Sequence, residues 1–388
     1  MRIASIVALV LTSVSAAPLA AQPNFDLLER IRAHGGTVVR DGSAPGQPIT
    51  QASLDGKTTA KDLLAELAKL KELRRLNFAY TPFNDDSLKD LAGMENIEVL
   101  DLIGTPVTGT GFKHLTHLKN LKTIYLHNAK VTDEGLKEIA KMPGVVDLCV
   151  PSNSISDDGL KPLAAMKSLR TLDLQYTPIT AAGLLHLLPL RLTHLNIPDG
   201  AKTDLGLQRL HAITGHTSQL YLTKWRISDA ALQELDGKDL RILELNDTNI
   251  SDDGLKSLAK ATYLERLSLR GCQVSGLGFA SLAGLAYLKS VDLTGCPISE
   301  EGLQAIARVK AIESLDLDGQ KLAEDSLATL ARLPSLRSLS LQNVAVSDSM
   351  IEQMTMLKSL KELEITRRGI SQSQLAKLKA ALPNCRVR

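Results

Sequence analysis

Two histidines and several paired aspartates stand at spacings that could bind a metal ion. His114 and His117 are three residues apart, which would bring both rings to one side of a helix. A zinc site needs three or four protein ligands, and no third ligand is evident, so we predict a solvated helix surface there. Asp252 and Asp253 suggest calcium ligands, but they follow Ser251 where a helix is predicted to begin. Acidic residues at a helix start favour its positive end, so we interpret them as capping residues.

Motifs of known catalytic sites are absent from the sequence. It contains neither H-E-x-x-H, which would indicate a metalloprotease, nor G-x-S-x-G, which would indicate a hydrolase. The glycines of residues 109–111 and 276–278 recur at one place of a 24-residue period, so we interpret them as turns and not as phosphate-binding loops. We expect a protein that is not an enzyme, with no catalytic residue, no cofactor and no metal.

Four cysteines in 388 residues are too few for a disulfide scaffold. Cys272 and Cys296 are one period apart, and neighbouring parallel strands lie ~4.8 Å apart, inside the Cα range of a disulfide. In-register Cβ atoms would also lie ~4.8 Å apart, whereas a disulfide needs ~3.8 Å. Two buried thiols are therefore the favoured interpretation, and a disulfide is the alternative.

The composition excludes several classes of protein. The formal net charge is +2, which argues against a polycationic nucleic-acid binder, and 23% charged residues with 44% hydrophobic ones argue against a disordered chain. Aromatic residues make up only 3%, so the core must be aliphatic. A single compact core stops growing near ~250–300 residues, so 388 residues require several domains or a fold that grows by repetition.

The first 21 residues have the pattern of a secretory signal peptide. Arg2 gives a positive start, Ile3 to Val14 are mostly apolar, and small residues follow up to Ala21. The apolar run is shorter than the ~20 residues that span a bilayer, and no later run approaches that length. We predict cleavage after Ala16 or Ala21 and an exported protein, periplasmic or extracellular, with no membrane span.

A period of 24 residues fills positions 49–382 with about 14 copies. Each copy begins with L-x-x-L-x-L, in which apolar and polar residues alternate as in a half-buried strand. A Ser/Thr-Asp-x-Gly-Leu element follows and opens a short helical stripe, as in residues 132–142. One strand and one helix per copy predict a solenoid, because a propeller blade would need four strands.

These copies resemble leucine-rich repeats, and the Ser/Thr-Asp-x-Gly-Leu element is most similar to the helical subclass of ribonuclease inhibitor and F-box adaptors. With the signal peptide, the layout resembles secreted bacterial proteins of that superfamily. The resemblance implies an α/β, right-handed horseshoe solenoid with a parallel concave sheet and short convex helices. It also implies that the ninth residue of each copy points inward and bonds to the neighbouring turn. Residues 22–48 are too short for an F-box, so a ubiquitin-ligase role is not expected.

The ends of the solenoid need covers for their cores. Residues 22–48 combine a helical apolar stripe with a short strand, and we predict that they form an N-terminal cap. We predict a last helix up to residue 382 and a C-terminal tail at 383–388.

The outward residues of the strands predict a binding face. Their middle column holds six acidic residues and no basic one, which is uneven for a chain of net charge +2 and equally consistent with a solvated face. Aromatic residues next to cationic ones are common interface anchors, and they gather in the third to seventh copies, which also contain the only irregular spacings. The predicted partner-binding residues are Tyr125, His127, Asp173, Tyr176, His194, Tyr221, Lys224 and Glu244.

The function predicted from the sequence is an exported, non-enzymatic scaffold that binds a protein or peptide through the concave sheet. Two alternatives remain: a structural or adhesive component of the cell envelope, and an inhibitor of a secreted or periplasmic enzyme. No nucleic acid is expected as a partner, and the sequence does not determine an oligomeric state.

Overall fold

The computed structural model describes residues 25–54, 61–215, 218–235, 237–366 and 370–388. The predicted signal peptide at 1–21 lies outside the described residues, so export stays a prediction. The chain divides into two compact units, residues 1–153 and 154–388.

The first unit alternates short strands with short helices. Its strands are β1 (Thr37–Arg40), β2 (Ile49–Ser53), β3 (Arg75–Asn77), β4 (Val99–Asp101), β5 (Thr123–Tyr125) and β6 (Asp147–Cys149). Its α-helices are α1 (Phe25–Ala33), α2 (Lys61–Leu67), α3 (Asp85–Leu88) and α4 (Asp133–Ile139), and Lys89–Leu91 and Thr110–His114 are 3₁₀-helices.

Strands β2 to β6 form a parallel ladder in which equivalent positions of successive copies face each other. Strand β1 runs antiparallel to β2, with Val39 opposite Gln51. Helix α1 buries Leu28 and Ile31. The strand and helix of the predicted cap therefore lie at the start of this sheet and occupy the edge that β2 would otherwise expose.

The second unit continues the same alternation. Its strands are β7 (Thr171–Asp173), β8 (His194–Asn196), β9 (Gln219–Tyr221), β10 (Ile242–Glu244), β11 (Arg266–Ser268), β12 (Ser290–Asp292), β13 (Ser314–Asp316), β14 (Ser338–Leu341), β15 (Glu362–Ile365) and β16 (Arg386–Val387). Its α-helices are α5 (Asp204–Thr214), α6 (Asp229–Gln233), α7 (Asp252–Ser257), α8 (Glu300–Ile306), α9 (Asp348–Met354) and α10 (Gln372–Ala381). Its 3₁₀-helices are Asp158–Ala165, Gly183–Leu187, Asp199–Ala201, Leu258–Lys260, Leu277–Leu282 and Ser326–Arg332.

The ladder of the second unit is interrupted once. Strand β7 pairs with β8, and β9 to β16 form a continuous parallel series, but β8 and β9 belong to different sheets. The 24-residue spacing keeps every pair from β10 to β15 in register, as between Leu243 and Leu267. The predicted tail at 383–388 adds strand β16 to this series, because Val387 pairs with Leu363.

The predicted helix caps form at many copies. Ser251, Ser299 and Thr132 have extended backbones, and each side chain accepts a hydrogen bond from an N–H in the first turn of its helix. This satisfies one of the N–H groups that a helix start leaves without a partner.

The threonines at the ninth position contradict the predicted bond to the neighbouring turn. Thr105 Oγ1 donates to Leu102 O at 2.7 Å, and Thr248 Oγ1 donates to Leu245 O at 2.6 Å, so each threonine closes its own turn. Asn153 at the same position does bond to the preceding copy, donating to Leu126 O at 2.7 Å.

Candidate binding surface

In the first unit, the predicted residue Tyr125 lies on an interior strand. Its neighbours β4 and β6 flank it, and the guanidinium of Arg75 lies 6.0 Å from the centre of its ring. Burial raises the pKa of the Tyr125 hydroxyl, the nearby Cys149 adds to that rise, and Arg75 partly offsets it. Tyr125 is therefore half-buried and held by its neighbours.

His127 follows β5 and is exposed. Its backbone carbonyl accepts a hydrogen bond from Gly104 N at 2.8 Å. The imidazole therefore stands at the end of the strand, on a backbone that the preceding copy fixes.

In the second unit, Asp173 and His194 lie on the paired strands β7 and β8. Asn196, two residues after His194, donates its side-chain amide to Asp173 Oδ2 at 3.1 Å. His194 is exposed, and its Nδ1 lies 3.1 Å from Thr193 Oγ1. The carboxylate and the imidazole are thus both presented on one strand surface.

Tyr221 is the most exposed aromatic residue on a strand of the second unit, with 52% of its surface accessible among the described residues. Its hydroxyl donates to Gln219 Oε1 at 2.8 Å. The next strand carries Glu244 directly beside Tyr221 in the ladder. An aromatic ring and a carboxylate are therefore presented side by side on this strand surface.

Tyr176 and Lys224 occupy a turn position with an unusual backbone. Their φ angles are 57° and 63°, in the left-handed region that usually favours glycine or asparagine. Tyr176 is 72% exposed. Both side chains are therefore projected outward from the turn that follows a strand.

The sequence did not predict a concavity that lies in the second unit. A cavity of about 690 Å³ opens between β8 and β9, where the ladder is interrupted. His194 and Tyr221 lie on its walls with Leu195 and Leu220, and helix α5 closes its back. We call it the β8–β9 cleft. Its lining residues are Gln175, Thr193, His194, Leu195, Asn196, Ile197, Lys202, Leu207, Leu210, His211, Thr214, Ser218, Gln219, Leu220, Tyr221, Leu222, Thr223 and Trp225.

Two signals in the sequence mark this place. The copy that contains α5 is 25 residues long, and the next copy begins with Thr217, whereas the other copies from residue 73 onward begin with Leu, Ile or Val. Helix α5 has 11 residues, more than any other helix among the described residues.

Trp225 is buried, with 6% of its surface accessible, and lines the β8–β9 cleft from inside. It is therefore part of the wall of the cleft and not of the outer strand surface.

The acidic column is densest further along the second unit. Asp292 and Asp316 face each other across β12 and β13, with Asp318 and Glu364 nearby. The pKa of Asp316 is raised from its usual 3.8 to about 6. Burial is the largest cause, and the carboxylates of Asp292, Asp318 and Glu364 contribute to the same rise. This part of the face repels anions and favours a cationic contact.

The paired aspartates have a role that the capping interpretation missed. The first aspartate of each pair bonds to the following copy: Asp252 Oδ2 accepts from Ser275 N at 2.8 Å and Ser275 Oγ at 2.7 Å, and Asp252 Oδ1 accepts from Gly278 N at 2.7 Å. Asp157 bonds to Thr180 in the same way. The carboxylates thus join successive copies along the helical side.

Cys272 and Cys296 are buried thiols and form no disulfide with each other. Their sulfur atoms donate to Leu245 O and Leu269 O, both at 3.0 Å. Burial raises the pKa of both thiols, that of Cys296 to about 12. They are therefore poor nucleophiles and act as core residues.

Within the described ranges, no cluster of three or more histidine, cysteine, aspartate or glutamate side chains is arranged to hold a metal ion. His117 Nε2 lies 2.7 Å from Ala92 O, so this ring bonds to the preceding copy. None of the described helices has the length and apolarity needed to cross a bilayer.

Comparison with known families agrees with the repeat frame. A family model described as Leucine Rich repeat matches residues 165–188, 238–259 and 284–307. These three segments have the sequence of leucine-rich repeats. The described strands and helices of the chain form an α/β repeat fold that agrees with this match.

Two bacterial proteins are among the solved structures that match this chain. A leucine-rich repeat protein of Leptospira interrogans is 21% identical, and the match covers 87% of this chain and 89% of that one, with a TM-score of 0.58. An internalin of Listeria monocytogenes is 19% identical over 93% of this chain and 94% of that one, with a TM-score of 0.47. No curated protein matches the sequence.

Proposed function

We propose that this leucine-rich repeat protein is an exported, non-enzymatic scaffold that binds a protein or peptide through the outward surface of strands β7 to β10. The observation that carries the proposal is the exposure of Tyr221 beside Glu244, on the strand next to the cleft wall that bears His194. Leucine-rich repeats are a protein-interaction scaffold, and a large exposed aromatic side chain is the usual anchor of such a contact.

The backbone of this surface is formed before any partner arrives. Strands β9 and β10 are paired in register, and Leu220 and Leu243 anchor them in the core. A preformed surface loses little conformational entropy on binding. Shape and polar complementarity therefore contribute to the affinity with little loss.

A photo-crosslinking experiment tests this surface. We would replace Tyr221 with p-benzoylphenylalanine and irradiate cells of the organism that makes the protein. The matched control is Tyr263, which has the same 52% exposure but stacks on Tyr287 outside the strand surface, with ring centres 5.8 Å apart.

We expect adducts with one partner protein from position 221 and none with it from 263. Tyr221→Ala should then weaken binding of that partner by about 2 kcal/mol, or ~30-fold. Equal adducts from both positions would refute a specific strand surface. Adducts only from Val39, which lies on the edge strand β1 and is half-exposed, would show binding through the end of the repeats instead.

Export has a separate test. Mass spectrometry of the mature protein should find an N-terminus at Gln22 or Ala17, as expected for cleavage after Ala21 or Ala16. A mature chain that still contains the apolar run of residues 3–14 would contradict export through this signal.

A further inference from the structure

Strands β8 and β9 leave main-chain hydrogen-bonding groups unmatched where they face each other. In the continuous part of the second unit, Leu222 N donates to Glu244 O on the next strand at 2.7 Å. The corresponding groups at the interruption are Ile197 N and Tyr221 O, and the described residues leave them unjoined. One bond of the regular ladder is therefore missing here.

A second missing bond lies at the other end of the same strands. Arg241 N donates to Ser218 O at 2.8 Å in the regular ladder. The corresponding groups at the interruption are Ser218 N and Thr193 O, which are also unjoined within the described residues. Main-chain groups are strong hydrogen-bonding groups, and leaving them without partners in a partly buried site costs about 1–3 kcal/mol each.

All four of these groups belong to residues that line the β8–β9 cleft. Its volume of about 690 Å³ is in the range of natural ligand pockets, ~300–1,000 Å³. The cleft is closed at the turn that follows the strands, because Arg226 N donates to Lys202 O at 2.9 Å. The open part therefore runs along the two strands and is long rather than round.

The charge of the lining favours an anionic occupant. No aspartate or glutamate is among the lining residues, whereas the cationic Lys202 is. Lys202 Nζ pairs with Asp199 Oδ1 at 2.6 Å, but Asp199 is 80% exposed at its side chain, so water screens this pair. The hydrophobic contribution comes from Leu195, which is more accessible than the other central leucines of its sheet.

We infer that the β8–β9 cleft binds an extended acidic peptide, which inserts between the two strands and hydrogen-bonds to both edges. A strand in this place would give Ile197 N and Ser218 N acceptors and would give Thr193 O and Tyr221 O donors. Main-chain bonds would supply the affinity, and the cationic lining would select acidic side chains. The inference rests on the proposed function in one respect, because the peptide would be a segment of the partner protein.

A displayed library of random linear heptapeptides is the probe. It would be selected on the full chain and counter-selected on Thr214→Trp, which places a large side chain in the wall of the cleft. Thr262→Trp is the matched control, since it places the same large side chain at an exposed position outside the lining of the cleft. Far-UV circular dichroism would establish that both variants are folded.

We expect peptides rich in β-forming and acidic residues that bind the wild type at least ~10-fold more tightly than Thr214→Trp. Methylation of alternate peptide nitrogens should cost ~10-fold or more in affinity, because it removes the donors for Thr193 O and Tyr221 O. Exchange of acidic residues for amides should weaken binding several-fold at low salt. The bound peptide should slow hydrogen exchange at Ile197 and Ser218 and leave exchange at Leu222 unchanged, a measurement that needs no variant.

Two results would overturn the inference. Selection that recovers no peptide preferring the wild type over Thr214→Trp would exclude the cleft as a peptide site. Selected peptides that tolerate nitrogen methylation and leave Ile197 exchange unchanged would bind the strand surface instead. In that second case Tyr221→Ala would lose binding, so the proposed function would stand while strand insertion fails.

Discussion

The second unit contains two versions of the same repeat ladder, one interrupted and one continuous. At the β8–β9 cleft, the central leucines Leu195 and Leu220 are 9% and 7% accessible, and main-chain groups of both strands lack partners in each other. From β10 to β15 the ladder is unbroken, and the central leucines Leu243 and Leu267 are fully buried.

The difference shows that strand pairing determines the neighbours and the exposure of each outward side chain. In the continuous part, outward side chains stack one strand spacing apart, and burial together with the charge of Asp292 raises the pKa of Asp316. At the interruption, Tyr221 has a neighbour on one side only and remains half-exposed. In a continuous ladder, neighbouring outward side chains change one another's electrostatics. At an interruption, both side chains and main-chain groups can contact a ligand.

Amide hydrogen exchange should show the largest contrast between the two regions. We expect the Ile197 amide to exchange at least ~100-fold faster than the Leu222 amide, whose N–H donates to Glu244 O at 2.7 Å. Mass spectrometry or NMR of the free protein measures both sites. Equal protection at the two positions would mean that β8 and β9 are joined in solution, and the cleft would not exist.

Truncation of the central leucines compares the packing of the two regions. Leu267→Ala should lower the free energy of unfolding by about 3 kcal/mol, because it empties a fully buried position in a rigid part of the core. Leu195→Ala should cost about 1.5 kcal/mol, since its side chain already borders a cavity. Urea denaturation measures both, and an equal loss in the two variants would contradict a loosely packed cleft wall.

The carboxylate bonds between copies can be tested within the continuous region. Asp252→Ala should lower the free energy of unfolding by about 2 kcal/mol, because Ser275 N and Gly278 N lose their acceptor. The matched control is the adjacent Asp253→Ala, which removes only an exposed ion pair with Lys256 and should cost about 0.3 kcal/mol. Thermal or urea unfolding of both variants gives the comparison, and similar costs would show that the bonds between copies add nothing.

The acidic column predicts a pH-dependent stability. The pKa of Asp316 is about 6 in the folded protein and near 3.8 when unfolded, so the folded state binds its proton more tightly. Its contribution to stability is therefore complete below pH ~4 and is lost as the pH rises through 6. Asp316→Asn should be about 1 kcal/mol more stable than the wild type at pH 7.5, after allowance for solvent screening, and equal to it near pH 4.

Glu244→Gln, at the same column position of β10, is the control for that prediction. Urea denaturation at both pH values should show little change for it, because its neighbours in the ladder are Tyr221 and Ser268 and not carboxylates. A gain for Asp316→Asn that persists at pH 4 would rule out charge repulsion as its cause.

Much of the fold could be predicted because each copy carries its own local signals. The alternation around Leu243 indicated a strand, and Ser251 before two aspartates indicated a helix start, and both features form. The favoured interpretation of Cys272 and Cys296 as buried thiols agrees with the structure. These features depend on contacts within one copy or on the register between identical copies.

The features that could not be predicted depend on contacts between copies that differ. At the ninth position Thr105 bonds to its own turn, whereas Asn153 bonds to the preceding copy, and only the packed structure separates the two cases. The strand β16 at the C-terminus forms because Leu363 offers it a partner, which no pattern in two strand residues could indicate.

The sequence by itself determined the repeat period, the alternation of strand and helix, and the residues that point outward, because these follow from local spacing and burial of apolar side chains. The tertiary structure decided where the ladder stops. An 11-residue helix, a 25-residue copy and Thr217 at an aliphatic position each hinted at an irregularity. Whether neighbouring strands stay within hydrogen-bonding distance depends on how the side chains of several copies pack together. The β8–β9 cleft therefore becomes visible only in the folded core.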